Sequence, residues 1–580
     1  MSSRTFTSLS IWNGWILALL LLPVAARAQN ATAPGAVTTP YPTLRNLSVE
    51  WAISGDADND GVVTVRFRPS GAAQWQDALP LRRVPAGNNE GFSWGNKHSG
   101  SVLDLEPDTE YQLELTLTDP DGGSDARMVV ARTRPVPQAT VNANVKPATP
   151  ATFSSVASSA QPGDILLLAD GTYSGFTFQR DGTSTQPIVI RAENPKGAVF
   201  SGDVRLDGRS YVYLEGLTVN AMIKFNNAFG IVVRGCTVNT PHSGIVSMSS
   251  GVENAYIADN IVLGPTGWSD ATVGANGNNL GEGIQMTGPG NVIEFNYVKG
   301  FRDAISTMED SGATNQVSVD ICNNDIEVGA DDAIEADFTM GNSRVMRNRI
   351  TNSFVGLSSQ PGLGGPAYFI RNVMYNIIYS PFKLYRGSSG DVAFHNTVVK
   401  CGDALMIVPG RTVSWALFRN NLFIGGEGGG TYGGYSNGSG RVAQIPDADA
   451  TCDLNYDGYA SIGTGEFSGN IGGNRFSSLS GLRYNTTENQ AVQVTMAVFT
   501  TAVEFPSSGP FPERSIPDLR ILAGSSAADQ GEVLPNVNDA YTGAAPDLGA
   551  YEAGQSPPHY GPRGQNGVPL SAPTRLRIVR

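Results

Sequence analysis

Between Arg45 and Pro135 apolar and polar residues alternate in short runs. VVTVRFR (62–68) and YQLELTL (111–117) alternate, VVARTR (129–134) follows, and DNDG, PSGAAQ and DPDGG separate the runs. A period of two between turn-forming clusters predicts antiparallel strands packed as a small β-sandwich over 44–136. Beyond PVPQATVNANVKPATP the pattern changes to short β-rich runs that repeat. YIADNIV (256–262), VIEFNYV (292–298), DICNNDI (320–326), RVMRNRI (344–350), FIRNVM (369–374), AFHNTVV (393–399) and LFRNNLF (417–423) align on one asparagine each. These are Asn260, Asn296, Asn324, Asn348, Asn372, Asn396 and Asn420, spaced 36, 28, 24, 24, 24 and 24 residues apart. A repeat near 24 without helical periodicity predicts a β-solenoid over 151–555, one coil per repeat. Stacked asparagines ~4.8 Å apart would bond one another and the turn backbone. The expected fold is therefore all-β: a small sandwich followed by a parallel β-helix. Residues 29–43 and 137–150 read as linkers and 556–580 as a flexible tail.

The repeat also predicts which side chains share a wall. Stacking one inward aliphatic per coil aligns Ile284, Ile305, Ile334, Leu357, Leu384 and Leu405. The next position points outward, giving Gln285, Ser306, Glu335, Ser358, Tyr385 and Met406. Two residues before the aliphatic lie Glu282, Asp303 and Asp332 on successive coils. On this reading Asp303, Asp332, Glu335 and Asp337 face solvent from one wall. Lys383, Tyr385 and Arg386 lie two coils along, with Glu309 and Asp310 beside them. Asp325 and Glu327 belong to another part of the coil and read as solvated.

Charge and composition narrow the chemistry. The 580 residues carry a net −14, so a nucleic-acid partner is not expected. Residues 1–28, with Arg4, ILALLLLPVA (16–25) and Ala26-Arg27-Ala28, read as a secretory signal. Its removal leaves 37 basic and 53 acidic residues, a net −16. No later run is apolar enough to span a bilayer, and a monomer in the periplasm or outside the cell is expected. Cys236, Cys322, Cys401 and Cys452 are too few to form a disulfide framework and read as buried thiols. DADNDG (56–61) and CDLNYDGY (452–459) have the look of calcium loops, but Phe67 and Thr464 stand where the twelfth-position Glu belongs, so both read as turns. His242 and His395 read as structural.

Two resemblances follow from these residues. Trp51, Tyr111 and LEPDTEY (105–111) resemble the fibronectin type III family, which implies a spacer or docking module. The solenoid resembles the right-handed parallel β-helix of pectate-lyase-like proteins. PGDILLLADGTYSGFTFQRDGTSTQPIVIRA (162–192) resembles the chondroitinase-B and alginate lyase family, and PDLGAYE (546–552) a β-helix closing segment. LGEGIQMTG (280–288) is similar to that family's calcium segment, and DDAIEAD (331–337) falls where its second acidic ligand lies. The family's lysine and arginine have no counterpart in FTMG (338–341) and LSSQP (357–361). GADDAIEAD also resembles the double aspartate of polygalacturonase-type hydrolases, without their NTD or RIK segments.

Together these imply a secreted enzyme acting on a polysaccharide, foremost a lyase on a uronate-containing glycan. The expected catalytic set is Lys383, Tyr385, Arg386, Glu335 and Asp332. The expected Ca²⁺ ligands are Glu282, Asp303, Asp331 and Asp337. Lys383 or Tyr385 would take the proton beside the uronate carboxyl, and Arg386 or the cation would neutralise it. The alternatives are a glycoside hydrolase using paired carboxylates and a carbohydrate-binding β-helix without catalysis.

Overall fold

The structure is a computed structural model describing residues 30–248 and 250–564. The signal segment at 1–28 and the last part of the tail lie outside the described residues. The N-terminal unit is antiparallel: β1 (Ala33–Thr38), β2 (Leu47–Ser54), β3 (Val62–Pro69), β4 (Gln76–Val84), β5 (Gly87–Asn89), β6 (Phe92–Trp94), β7 (Lys97–Val102), β8 (Glu110–Thr118) and β9 (Asp125–Arg132). Seven of these strands are ordered β1-β2-β7-β4-β3-β8-β9, and β5–β6 form a separate hairpin. The alternation seen in the sequence sorts faces as expected. Val63, Val65, Leu113, Leu115 and Leu117 are buried around Trp51, while the residues between them are partly or fully exposed.

The second unit is a parallel β-solenoid. One sheet of 13 strands runs from Asn144–Ala148 to Asp453–Asn455, and a second of 20 strands runs beside it. Inward Ile, Val, Leu and Phe side chains of successive coils form one continuous core. The asparagine stack closes as anticipated over six coils. Asn324 Nδ2 and N–H both donate to Asn348 Oδ1, and Asn348 donates in the same way to Asn372. Its last asparagine is Asn421, not Asn420: Asn396 donates to Asn421 Oδ1, and Asn421 to Asp457 Oδ1. Asn420 instead binds His395 and the backbone of Glu532. Two adjacent asparagines fit the repeat equally well, and only coil length decides between them. Asp457, read as a turn residue, is fully buried and ends the stack.

Three segments differ from their sequence reading. β1, inside the stretch 29–43, pairs with β2. Asn144–Ala148, inside 137–150, is the first solenoid strand and pairs with Asp164–Leu168. In the tail, Arg563 pairs with Asp259 at 2.7 Å and lies over the Phe295 ring. Pro- and Thr-rich composition hides strands whose order comes from their neighbours. The sandwich is also not a tethered spacer. Arg344, fully buried, bonds Asp320 of the 13-stranded sheet and the hydroxyls of Ser48 and Ser101 from β2 and β7. Asn46 donates to the other Asp320 oxygen at 2.8 Å. All four cysteines are buried, and no helix among the described residues is long and apolar enough to cross a membrane.

Candidate active site

The acids do share one wall. Glu282 opposes Asp303, Ile305 opposes Ile334, and Glu335 opposes Ser306 on one side and Ser358 on the other. Ser358 opposes Lys383, and Leu357 opposes Phe382. The column therefore runs Ser306, Glu335, Ser358, Lys383, with Lys383 in the place expected for Tyr385. The intervening coil is two residues shorter in register than the aliphatic stack implied, and a slip of two keeps the same face outward. Lys383 Nζ reaches back across that coil. It donates to Asp332 Oδ2 and lies 3.4 Å from Glu335 Oε1.

The expectation of solvent exposure is wrong. Asp332 and Asp337 are 0% exposed, Asp303 2%, Glu335 6% and Asp331 7%. Alternation sends a side chain away from the solenoid core, but other parts of the chain cover it. The Thr307–Gln316 segment is tied over Asp337, whose carbonyl accepts from Thr307 Oγ1 at 2.7 Å and Gln316 Nε2 at 2.8 Å. Arg302, absent from the sequence-derived set, lies 3.4 Å from Asp303 and 3.5 Å from Asp331. Its only sequence signal is its position immediately before an outward aspartate. Asp325 and Glu327 are not merely solvated either: Arg349 pairs with the first and Lys299 with the second.

Burial governs the electrostatics. It raises Glu282 to about 7, opposed by the Ser306 hydroxyl and Arg302. It raises Asp337 to about 7, with Lys383 and Ser358 opposing and Asp332 and Glu309 adding to the rise. Asp331 is pushed to about 6 by burial and then by Asp332. Asp303 and Glu335 are held well above the carboxylate range, first by burial and then by their acidic neighbours. Burial alone would lower Lys383. The carboxylates of Asp332, Asp337 and Glu335 outweigh it and hold the ammonium protonated well above its ordinary range.

This donor set suits a hard cation. One carboxylate oxygen each of Glu282, Asp303 and Glu335 lie within 4.8 Å of one another, as do those of Glu309, Glu335 and Asp337. Asp332 Oδ1 and Asp337 Oδ2 are buried without a hydrogen-bond partner, which is costly unless something else meets them. All the ligands are oxygens, and Ca²⁺ takes six to eight of these. Of the expected metal set, Glu282 and Asp303 belong to the first trio and Asp337 to the second. Asp331 is turned to Arg302.

The rim is built by the sandwich. Arg386 does not join the acids. Its guanidinium donates to Glu90 of the β5–β6 hairpin at 2.6 Å and to Asp310 at 2.7 Å, and it lies over the Phe338 ring. Phe92 meets the same ring edge-on at 5.8 Å. Asn89 donates to the carbonyls of Arg386 and Gly387. Tyr385 is half-buried, one residue beyond the strand Phe382–Leu384 that carries Lys383.

Comparison with known proteins bears on the coils that lead to this wall. Residues 148–228 match the family model for Chondroitinase B. That span covers the first coils and ends before Glu282. No curated protein matches the chain. Among solved structures, a PL6 family alginate lyase, AlyGC, aligns at 14% identity over 54% of this chain and 47% of its own, with TM-score 0.35. The chain thus spans about half the length of that enzyme. A mannuronic acid specific family 6 lyase from human gut microbiota aligns at 16% identity, covering 57% of this chain and 83% of its own, with TM-score 0.31. A PL6 family polysaccharide lyase from Pseudopedobacter saltans aligns at 12% identity over 65% and 98%, with TM-score 0.35.

Proposed function

We propose that this chain is a secreted polysaccharide lyase that cleaves a uronate-containing glycan along the wall formed by Glu282, Asp303, Asp332, Glu335 and Lys383. The observation that carries the reading is the pair of buried, unpartnered oxygens, Asp332 Oδ1 and Asp337 Oδ2, inside an all-oxygen cluster. The Chondroitinase B match on the coils leading to it supports the same class. Glu282, Asp303 and Glu335 would hold a divalent cation. When bound, it would neutralise the uronate carboxylate and so acidify the adjacent carbon.

The protein groups divide the remaining work. Lys383 is kept protonated by Asp332 and Glu335, so it acts as a donor and stabiliser of developing negative charge, not as the resting base. That leaves Tyr385, acting as its phenolate, as the group that would take the proton and become the phenol. Arg386 is engaged by Glu90 and Asp310 and serves the rim.

A glycoside hydrolase is the second reading, favoured by one observation. Burial and acidic neighbours favour the acid form of Glu335, while Asp332 makes the closer contact with the Lys383 ammonium that the two share. Two carboxyls in such different surroundings suit an acid and its partner. A panel of uronate and neutral glycans, read at 235 nm and for reducing ends with and without chelator, separates the possibilities. Absorbance lost on chelation, and lost in Tyr385→Phe with KM retained, is the expected result. Reducing ends without absorbance would replace the lyase with the hydrolase. Binding without either signal would leave a carbohydrate-binding protein.

A further inference from the structure

The cluster contains more carboxyl groups than one cation can serve. Seven carboxyls, including those of Glu309 and Asp331, face only the Lys383 ammonium and the Arg302 guanidinium. Once cation binding displaces the protons that burial favours on these groups, one divalent ion leaves the site strongly negative, and a second brings it close to balance. The geometry supplies two trios of oxygens, not one. Glu335 belongs to both, Glu282 and Asp303 only to the first, and Glu309 and Asp337 only to the second.

We propose that the wall binds two divalent cations, the second held by Glu309, Glu335 and Asp337, with Glu335 shared between the two ions. Asp337 is 0% exposed. Its Oδ1 accepts from Ser358 and from the N–H of Gln360 at 2.8 Å, while Oδ2 has no partner. The Glu309 carboxylate has no hydrogen-bond or ion-pair partner among the described residues. The segment carrying it is anchored next to Asp337 through Thr307 and Gln316, and Gln316 Oε1 accepts the N–H of Met308 at 3.0 Å. An unpaired carboxylate held beside an unpaired buried oxygen is a site for a hard cation of the Ca²⁺ type. The two-ion arrangement places one charge at the Glu282 and Asp303 end of the wall and the other beside Asp337, toward the rim at Phe338 and Arg386.

This inference rests on the cation reading above, and the test separates the two. Ca²⁺ is titrated by calorimetry into the chelator-treated full-length protein, and stoichiometry is checked by native mass spectrometry. The parent carries Asp58→Asn and Asp60→Asn, which remove the exposed acids of the DADNDG loop as competing ligands. Two ions per chain are expected, falling to one in Glu309→Gln and to one in Glu282→Gln. In Glu335→Gln both sites should weaken by at least about tenfold. Thermal unfolding in chelator shows that each variant folds. One ion per chain, unchanged by Glu309→Gln, overturns the second site and leaves the first. No bound ion overturns both.

Discussion

Asp337→Asn should make the metal-free protein more stable at alkaline pH, although the residue lies at the heart of the candidate site. Burial raises the folded-state pKa of Asp337 from 3.8 to about 7. A carboxyl with a raised pKa holds its proton more tightly when folded than when unfolded. Its stabilisation is present below the unfolded pKa and is lost as pH rises toward the folded one. Three pKa units at roughly 1.4 kcal/mol each give a ceiling of about 4 kcal/mol by pH 8. Neighbouring acids share the protons, so this cost belongs to the cluster as a whole. Asparagine keeps an oxygen to accept from Ser358 and Gln360, carries no charge at any pH, and points its amide at Glu309 and Glu335. In chelator the variant should therefore match the parent near pH 4 and unfold several degrees higher at pH 8. Saturating Ca²⁺ should reverse the order, because only the parent gains the full binding energy. Thermal unfolding followed by circular dichroism from pH 4 to 8, with chelator and with Ca²⁺, reads both effects. A gap independent of pH, or a variant less stable than the parent at pH 8 in chelator, would refute the reasoning.

Two further outcomes test the scaffold. Asn348→Ala removes the acceptor for the Asn324 N–H and Nδ2, and the donor to the Ile321 carbonyl at 2.8 Å. Leaving these groups buried and unmet should cost about 2–5 kcal/mol, measured as a lowered urea midpoint. Asp457 and Glu488 are buried together, and burial followed by mutual repulsion holds Asp457 well above its ordinary range. Asp457→Asn should extend the amide stack by one rung and flatten the loss of stability above neutral pH, seen as a smaller fall in Tm between pH 7 and 9.

The fold was legible because its signals are periodic. Alternation in β3 and β8 and a 24-residue asparagine repeat each require a particular backbone, and the structure has both. The site was legible only in part. The repeat brought Glu282, Asp303, Asp332 and Glu335 to one wall correctly, since parallel coils in register must stack them. It placed Tyr385 where Lys383 stands, because coil lengths vary and a two-residue slip, which keeps the same face outward, leaves the pattern of aliphatics intact. Arg302 and the Glu90–Arg386 pair carried no periodic signal.

Sequence alone determined the winding of the chain, the composition of its core and the wall on which the acids gather. Each of these follows from local spacing and the strand period of two. Tertiary structure alone decided that the acids are buried, that Lys383 is their counter-charge and that the sandwich builds the rim. Burial and ion pairing depend on segments hundreds of residues apart, such as β5–β6 against Phe338 and Arg386, and no local pattern encodes where such segments meet.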